Sequence, residues 1–488
     1  MWIKDLDSIF SLYHREERPI SRRAWLRAAG LGFGSLGMAA LLADETKLFA
    51  MGQSDNPLAP RRPHFEPKAK RVIFLFMHGG PSSIDTFDPK ERLNRDNGKA
   101  LPIKRPLSFD NKNDAGPLMK SPWEFRPGGK SGIPVSDLFP SVRECVDDLC
   151  VVRSMVGEGV DHGAALLQTF TGTSTFIRPS MGAWVLYGLG TENQNLPGFI
   201  AIKPSLAHGG AKNWSSAFLP GAYQATAIGH AGMKVDDIKK EPIEYLLNKH
   251  FGPEQQRYEL DMLQNINRRH EALRQHDPQL EARIQAFELA FRMQAEAPEI
   301  FQVEKESGAT KKLYGLDDPV TQDFGWQCLL ARRLAEHGVR FIQCTHSYKW
   351  DQHSELYNGH TQNAREVDKP IAGLLKDLKS RGLLKDTLVI WAGEFGRTPV
   401  SQGGDGRDHN PYGYSIWMAG GGLKAGFIYG ATDEIGYHAV EDRMHIHDFH
   451  ATVLHLLGLN HEKLTYRYSG RDFRLTDVAG VVAEKIIA

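Results

Sequence analysis

Arg71–Met77 (RVIFLFM) is a largely apolar run of strand length, the pattern of a central strand buried on both faces. It stops at the sharp turn His78-Gly79-Gly80-Pro81. Similar runs recur at 150–153, 198–202, 339–345, 387–392 and 414–419. Between them, apolar residues fall at helical spacing over 138–148, 181–189, 323–337, 364–381 (Pro370 near its start) and 447–457, the last closed by Gly458. Such alternation predicts an α/β domain: a mostly parallel central sheet with helices on both faces. The rhythm breaks at about 241–310. EQQRYELDMLQNINRRHEALRQ and LEARIQAFELAFRMQA are charged and amphipathic, and predict a helical insertion or cap. Strict heptads are not sustained there, which favours a cap over a coiled-coil surface.

The amino-terminal stretch reads differently. Ser21-Arg22-Arg23-Ala24-Trp25-Leu26-Arg27 is a twin-arginine pattern, followed by a glycine-rich, moderately apolar run from Ala28 to Ala43. That run falls short of the ~20 apolar residues of a stable membrane span. The reading is an export signal over 1–50, a Pro-rich polar linker over 51–70 and the α/β domain over 71–488. The implied partner is the twin-arginine translocase, which carries folded proteins, so a metal can be loaded before export. The implied location is periplasmic or extracellular in a bacterium.

Composition narrows the partners further. With 59 basic and 59 acidic residues the chain has no formal net charge, which argues against nucleic acid or an anionic membrane as main partner. The 48 glycines and 26 prolines fit an enzyme that carries its chemistry on loops. Cys145, Cys150, Cys328 and Cys344 form no CxxC pair. Cys145 and Cys150 are near enough to bridge in an oxidising compartment, but Cys150 opens an apolar run and reads as core, as do the other two.

The strand ends carry the chemistry. Parallel sheets place ligands at the carboxyl ends of their strands, and acidic and histidine residues follow several of the predicted strands. After 339–345 come Asp351, His353 and His360; after 387–392 come Glu394 and Arg397; Asp408-His409 lies in the glycine-rich loop GGDGRDHNPYG. Carboxylates and imidazoles converging from different strands suit a divalent cation. His409 is the best single ligand candidate, with Asp408 as a further ligand or a partner that orients the imidazole. Glu394 is a ligand, or the partner of Arg397 in a structural ion pair; Arg397 could alternatively orient it or bind an anionic substrate. Asp85 is the leading ligand candidate in the turn after the first strand. Asp161-His162 reads equally as a polar site or as a helix start with Asp161 as cap. His447, His450 and His455 lie on an amphipathic helix, where packing is the simpler role.

Seven strings together resemble one family: FMHGGPSSIDTFDPK, RPSMGAWVLYGLG, CLLARRLAEHGVRFIQ, DKPIAGLLKDLKSRGLL, GEFGRTP, GRDHNPYGYSIWMAGGG and YGATDEIGYHAVEDRMHIHDFHATVLHLLGL. The chain is similar over about 70–488 to the domain of unknown function 1501 family, within the alkaline-phosphatase-like, sulfatase-related superfamily. The resemblance implies an alkaline-phosphatase-like fold and metal-assisted hydrolysis of phosphate or sulfate esters, polysaccharide-derived esters among them, with zinc, calcium, magnesium or manganese. It implies Asp351 with His353 or His360 as one ligand group, Glu394 near the place of an Asp-His pair, His409 as the late histidine, and His78 or Asp85 as the early ligand. Counting back from Thr171-Gly172, the usual nucleophile position falls on His162, which could be a ligand, a base or a nucleophile. The CxPxR and SxPxR strings of sulfatases are absent. The expectation is therefore a metal-dependent ester hydrolase without a formylglycine, the alternative being a non-catalytic binding or envelope-assembly protein on the same fold.

Overall fold

The computed structural model describes residues 56–104, 106, 115–243, 246, 250–272 and 278–488. The twin-arginine segment at 21–27 and the linker residues 51–55 lie outside the described residues. Nine strands form the main sheet: β1 (Arg71–Met77), β2 (Leu149–Val156), β3 (Phe199–Ile202), β4 (Thr226–Ile228), β5 (Phe341–His346), β6 (Thr387–Ala392), β7 (Tyr414–Ala419), β8 (Phe427–Tyr429) and β9 (Met444–His445). Their order is β8-β2-β7-β6-β1-β5-β3-β4, with β9 also on β2. β1 lies between β5 and β6, parallel to both, and every residue of these three strands is buried.

Side chains alternate across β1 and sort into two cores. Ile73, Leu75 and Met77 join one core with residues of α5 (Gln322–Glu336) and α6 (Leu356–Ser380). Val72, Phe74 and Phe76 join the other, with residues of α1 (His162–Thr171), α2 (Met181–Leu189) and α7 (Ile446–Leu456). A strand apolar on both faces is the sequence expression of this three-layer arrangement. Two long helices, α3 (Pro253–Ala272) and α4 (Pro278–Phe301), follow the sheet's β4 edge in sequence.

One strand departs from the parallel reading. β7 runs antiparallel to both neighbours, β6 and β2. The chain leaving β6 has no helical crossover before β7. It folds instead through two short antiparallel pairings beyond the sheet, Gly396–Arg397 with His409–Asn410 and Val400–Gln402 with Ala115–Leu118. Without a crossover to carry it back, the returning strand must run the other way. The helix expected over 138–148 is broken into Pro140–Arg143 and a 3-10 turn at Val146–Asp148. Conversely, α6 starts at Leu356, well before the expected 364, so Pro370 sits inside it. All four cysteines are buried and free. Among the described residues, no helix is long and apolar enough to cross a membrane.

Candidate metal centre

The registers bring the strand ends level. Phe76 of β1 pairs with Ala392, and Met77 with His346. Thus His78, the loop 347–353 and Glu394 all leave the sheet at one edge. Gly79 lets them meet. Its φ is +117°, and a Cβ there would lie 2.6 Å from the Trp350 nitrogen and 2.7 Å from the Asp351 nitrogen. Only glycine tolerates both the dihedral and the approach. The Gly79 N–H donates to both oxygens of Glu394, at 3.0 and 3.2 Å.

Asp351 is the hub. Its Oδ1 lies 2.9 Å from His353 Nε2 and 3.2 Å from His409 Nε2, and the two imidazole nitrogens are 3.1 Å apart. Arg397 Nη2 donates to the same Oδ1 at 2.7 Å. His162 Nε2 lies 3.2 Å from Asp351 Oδ2, which also accepts from the Tyr348 hydroxyl. The hairpin register explains the convergence: Arg397 sits opposite His409, and directly opposed side chains share a face.

The ring orientations are set from behind. His409 Nδ1 donates to the Val160 carbonyl at 2.8 Å, so its Nε2 presents a lone pair towards Asp351. His353 Nδ1 is held by Gln402 Oε1 at 2.6 Å. Three acceptor-capable atoms within 3.2 Å of one another repel unless a proton or cation lies among them. A tetrahedral ion with bonds of 2.0–2.1 Å separates its ligands by about 3.3 Å, close to this spacing. These residues therefore fit a divalent cation.

A second group adjoins the first through His162. His162 Nδ1 is 2.6 Å from Glu394 Oε1. One ligand atom each from His78, His162 and Glu394 lie within 4.8 Å of one another, as do those of His162, Asp351 and His409. His78 Nδ1 is buried without a hydrogen-bond partner among the described residues, and His78 Nε2 is 3.2 Å from His208 Nδ1. His162 opens α1, whose N-cap is Asp161, the side chain accepting the Ala164 N–H at 3.1 Å.

Electrostatics separate the imidazoles. Burial pushes His409 down to about 4, against the pull of Asp351, and pushes His78 down to about 4 as well. For His353 burial also acts downwards, but Asp351 outweighs it and raises the pKa above 6.5. Burial opposes ionisation of Asp351 too, yet hydrogen bonds from His162, His353 and His409 and the charge of Arg397 hold it far below the usual carboxylate range. The Asp351 carboxylate thus favours the protonated form of His353. His162 is likewise raised: burial lowers it, and the bonds to Asp351 and Glu394 win.

Of the residues singled out in the sequence, the structure brings His162, Asp351, His353, Glu394 and His409 together, with Arg397 beside them. Arg397 does not pair with Glu394. Its guanidinium is buried against Asp351 and the carbonyls of Gly79, Gly80, Trp350 and Arg407, which leaves it a positioning role rather than an anion site. Asp85 stands apart: both oxygens pair with Arg407, at 2.7 and 3.2 Å, and both side chains are fully buried. Its ligand role yields to a structural ion pair. Asp408 accepts the His409 N–H at 2.8 Å and lies outside the two converging groups, so it positions the next residue's backbone. His360 accepts the Ser82 N–H at 3.0 Å, also outside them. His447 and His450 tie α7 to the carbonyls of Gly172 and Thr169.

His208 and Tyr348 were not legible as site residues. His208 has a left-handed φ of +51° and is followed by two more positive-φ residues, Gly209 and Gly210. Its ring stacks on His162 with centroids 4.9 Å apart. It follows β3 by six residues, but no carboxylate accompanies it in that loop to mark it, and strain of this kind has no sequence signature at a histidine.

The profile of the family described as protein of unknown function DUF1501 matches residues 69–487. The chain belongs to the DUF1501 family. No curated protein matches this DUF1501 chain. Among solved structures it is similar to the lipoteichoic acid synthase LtaP from Listeria monocytogenes, at 8% identity over 86% of this chain and 78% of that one, with a TM-score of 0.36. It is similar to the PsFucS1 sulfatase from Pseudoalteromonas sp., at 13% identity over 86% and 72%, TM-score 0.35. It is similar to the alkaline phosphatase of the Antarctic bacterium TAB5, at 10% identity over 80% and 98%, TM-score 0.32. The chemistry of the DUF1501 site rests on its own geometry.

Proposed function

We propose that this DUF1501 protein is an exported, metal-dependent hydrolase of phosphate or sulfate esters. The observation that carries the reading is the convergence of Asp351 Oδ1, His353 Nε2 and His409 Nε2 within 3.2 Å. Asp351, His353 and His409 would hold one cation, and His78, His162 and Glu394 the components of a second site. Two imidazoles and a carboxylate favour zinc over calcium or magnesium, which prefer all-oxygen shells. A cation there supplies Lewis-acid polarisation of an ester oxygen.

The protein's own residues prepare the site. Arg397 neutralises one of the two carboxylates Asp351 and Glu394, leaving a net charge of −1 that a divalent cation turns to +1, a field that receives an anionic ester. Val160 and Gln402 fix the tautomers of His409 and His353. Tyr348, 41% exposed, lines the approach; burial and Asp351 raise its pKa, so its hydroxyl stays protonated as a donor. His162 is bracketed by carboxylates on both ring nitrogens, which favours a ligand role over a nucleophilic one, with water as the attacking group. That bracketing also supports the second reading, a metal-holding protein without turnover. Support for export is the twin-arginine string at 21–27.

Metal analysis of the purified protein, joined to a screen of generic phosphate and sulfate esters, tests this. Stoichiometric metal with turnover lost in Glu394→Ala is expected. Metal without turnover leaves the second reading; no metal and no effect of His409→Ala refutes both.

A further inference from the structure

The structure leaves one helix face uncovered outside the metal centre. Along α3, Glu254, Tyr258, Met262, Ile266 and His270 fall at successive i,i+4 positions, so they form one ridge on the helix surface. The three central residues are 68%, 54% and 61% exposed. The opposite side of α3 is the one that faces the protein: Gln264 is buried and donates to the Ile284 carbonyl, and Arg257 pairs with Glu288 of α4. Three large apolar side chains in a row facing water are uncommon on a helix whose other face is satisfied.

The ridge has a charge polarity that identifies its occupant. The first half of α3 carries Glu254, Glu259 and Asp261 against Arg257, and the Arg257–Asp261 pair is closed within the helix at 2.5 Å. The second half carries Arg268 and Arg269, with His270, against Glu271. The helix is thus acidic, then apolar, then basic. A copy of itself, laid antiparallel about Met262, is its complement: Met262 meets Met262, Tyr258 meets Ile266, and Glu254 faces Arg269 and His270 of the second copy. Interdigitation of i±4 ridges is the commonest helix packing, and a two-fold axis makes the contact self-complementary. A parallel copy would set acid against acid. We infer that α3 is the seam of a two-fold homodimer, its i,i+4 ridge packing antiparallel on the same ridge of a second copy.

The test uses the full mature chain. Light scattering over a concentration series from the low micromolar range upwards is expected to show a dimer. Met262→Glu places two like charges at the axis and is expected to give a monomer; the position is exposed, so circular dichroism should be unchanged. Met262→Cys, oxidised, is expected to cross-link into a covalent dimer, because only a residue on the axis meets itself; the four native cysteines are buried and do not compete. Glu254→Arg is expected to weaken association by about three- to tenfold, and Glu254→Arg with Arg269→Glu to restore it, since the swap preserves complementarity. A chain that is monomeric throughout the series overturns the inference. So does a dimer that survives Met262→Glu, or one in which Met262→Cys does not cross-link, or in which the charge swap fails to restore association.

Discussion

Binding of a divalent cation should stabilise the folded protein by an amount that one substitution largely removes. At a free-ion concentration a hundred times Kd, a ligand specific for the folded state adds about 2.7 kcal/mol. Residues 55–488 form one compact unit, and at ~2.1 cal/mol/K per residue such a unit has an unfolding entropy of about 0.9 kcal/mol/K. The expected rise in Tm is therefore about 3 °C. His409→Ala deletes one of the three atoms that converge within 3.2 Å. Loss of even an outer-shell partner weakens metal binding by about 10–100-fold; a hundredfold loss puts the same ion concentration at Kd, where the stabilisation is only about 0.4 kcal/mol and the shift about 0.5 °C. The substitution also removes the donor to Val160, at a cost of about 1–3 kcal/mol that is equal with and without metal. The informative quantity is thus the difference between variants of the metal-induced shift, measured by scanning calorimetry on chelator-stripped protein titrated with zinc, manganese, magnesium and calcium. If no ion shifts the wild type, or His409→Ala keeps the full shift, the cradle is not a metal site.

Other consequences are as direct. Arg407→Met leaves the fully buried Asp85 charge without its bidentate partner and should cost about 3–5 kcal/mol, read as a Tm fall of similar size in degrees; Asp85→Asn with Arg407→Met should recover part of it, with metal content unchanged. Gly79→Ala forces a Cβ against the Trp350–Asp351 backbone and should abolish metal uptake or folding, whereas Gly252→Ala, with open space around it and no left-handed φ, should retain metal. His360 and His450 are pushed down to about 3 by burial, so between pH 3 and 6.5 they take up protons only on unfolding. Stability is then fully present above pH 6.5 and falls as pH drops through it, by about 2 kcal/mol per residue at pH 5. Chemical denaturation of the metal-free protein at pH 7 and pH 5 checks this, and His450→Gln should remove about half of the combined effect. An equal pH dependence in that variant would contradict the assignment.

The sequence alone determined much of this protein. Largely apolar runs at 71–77, 387–392 and 414–419 are strands with those same bounds, because burial on both faces leaves little room for polar positions. The placement of Asp351, His353 and Glu394 after strands, and of His409 in a glycine-rich loop, marked them as site residues, and the structure brings them together. It could not distinguish Asp85 from them. A carboxylate after a strand looks alike whether it meets a cation or an arginine, and Asp85's partner, Arg407, lies 322 residues away. Nor did it show that Arg397 pairs with Asp351 rather than with Glu394, three residues off. The hairpin that opposes Arg397 to His409 decides that, and the same hairpin turns β7 antiparallel. Local pattern reports how each segment is buried; which charges neutralise one another depends on distances between segments, and those exist only once the chain has folded.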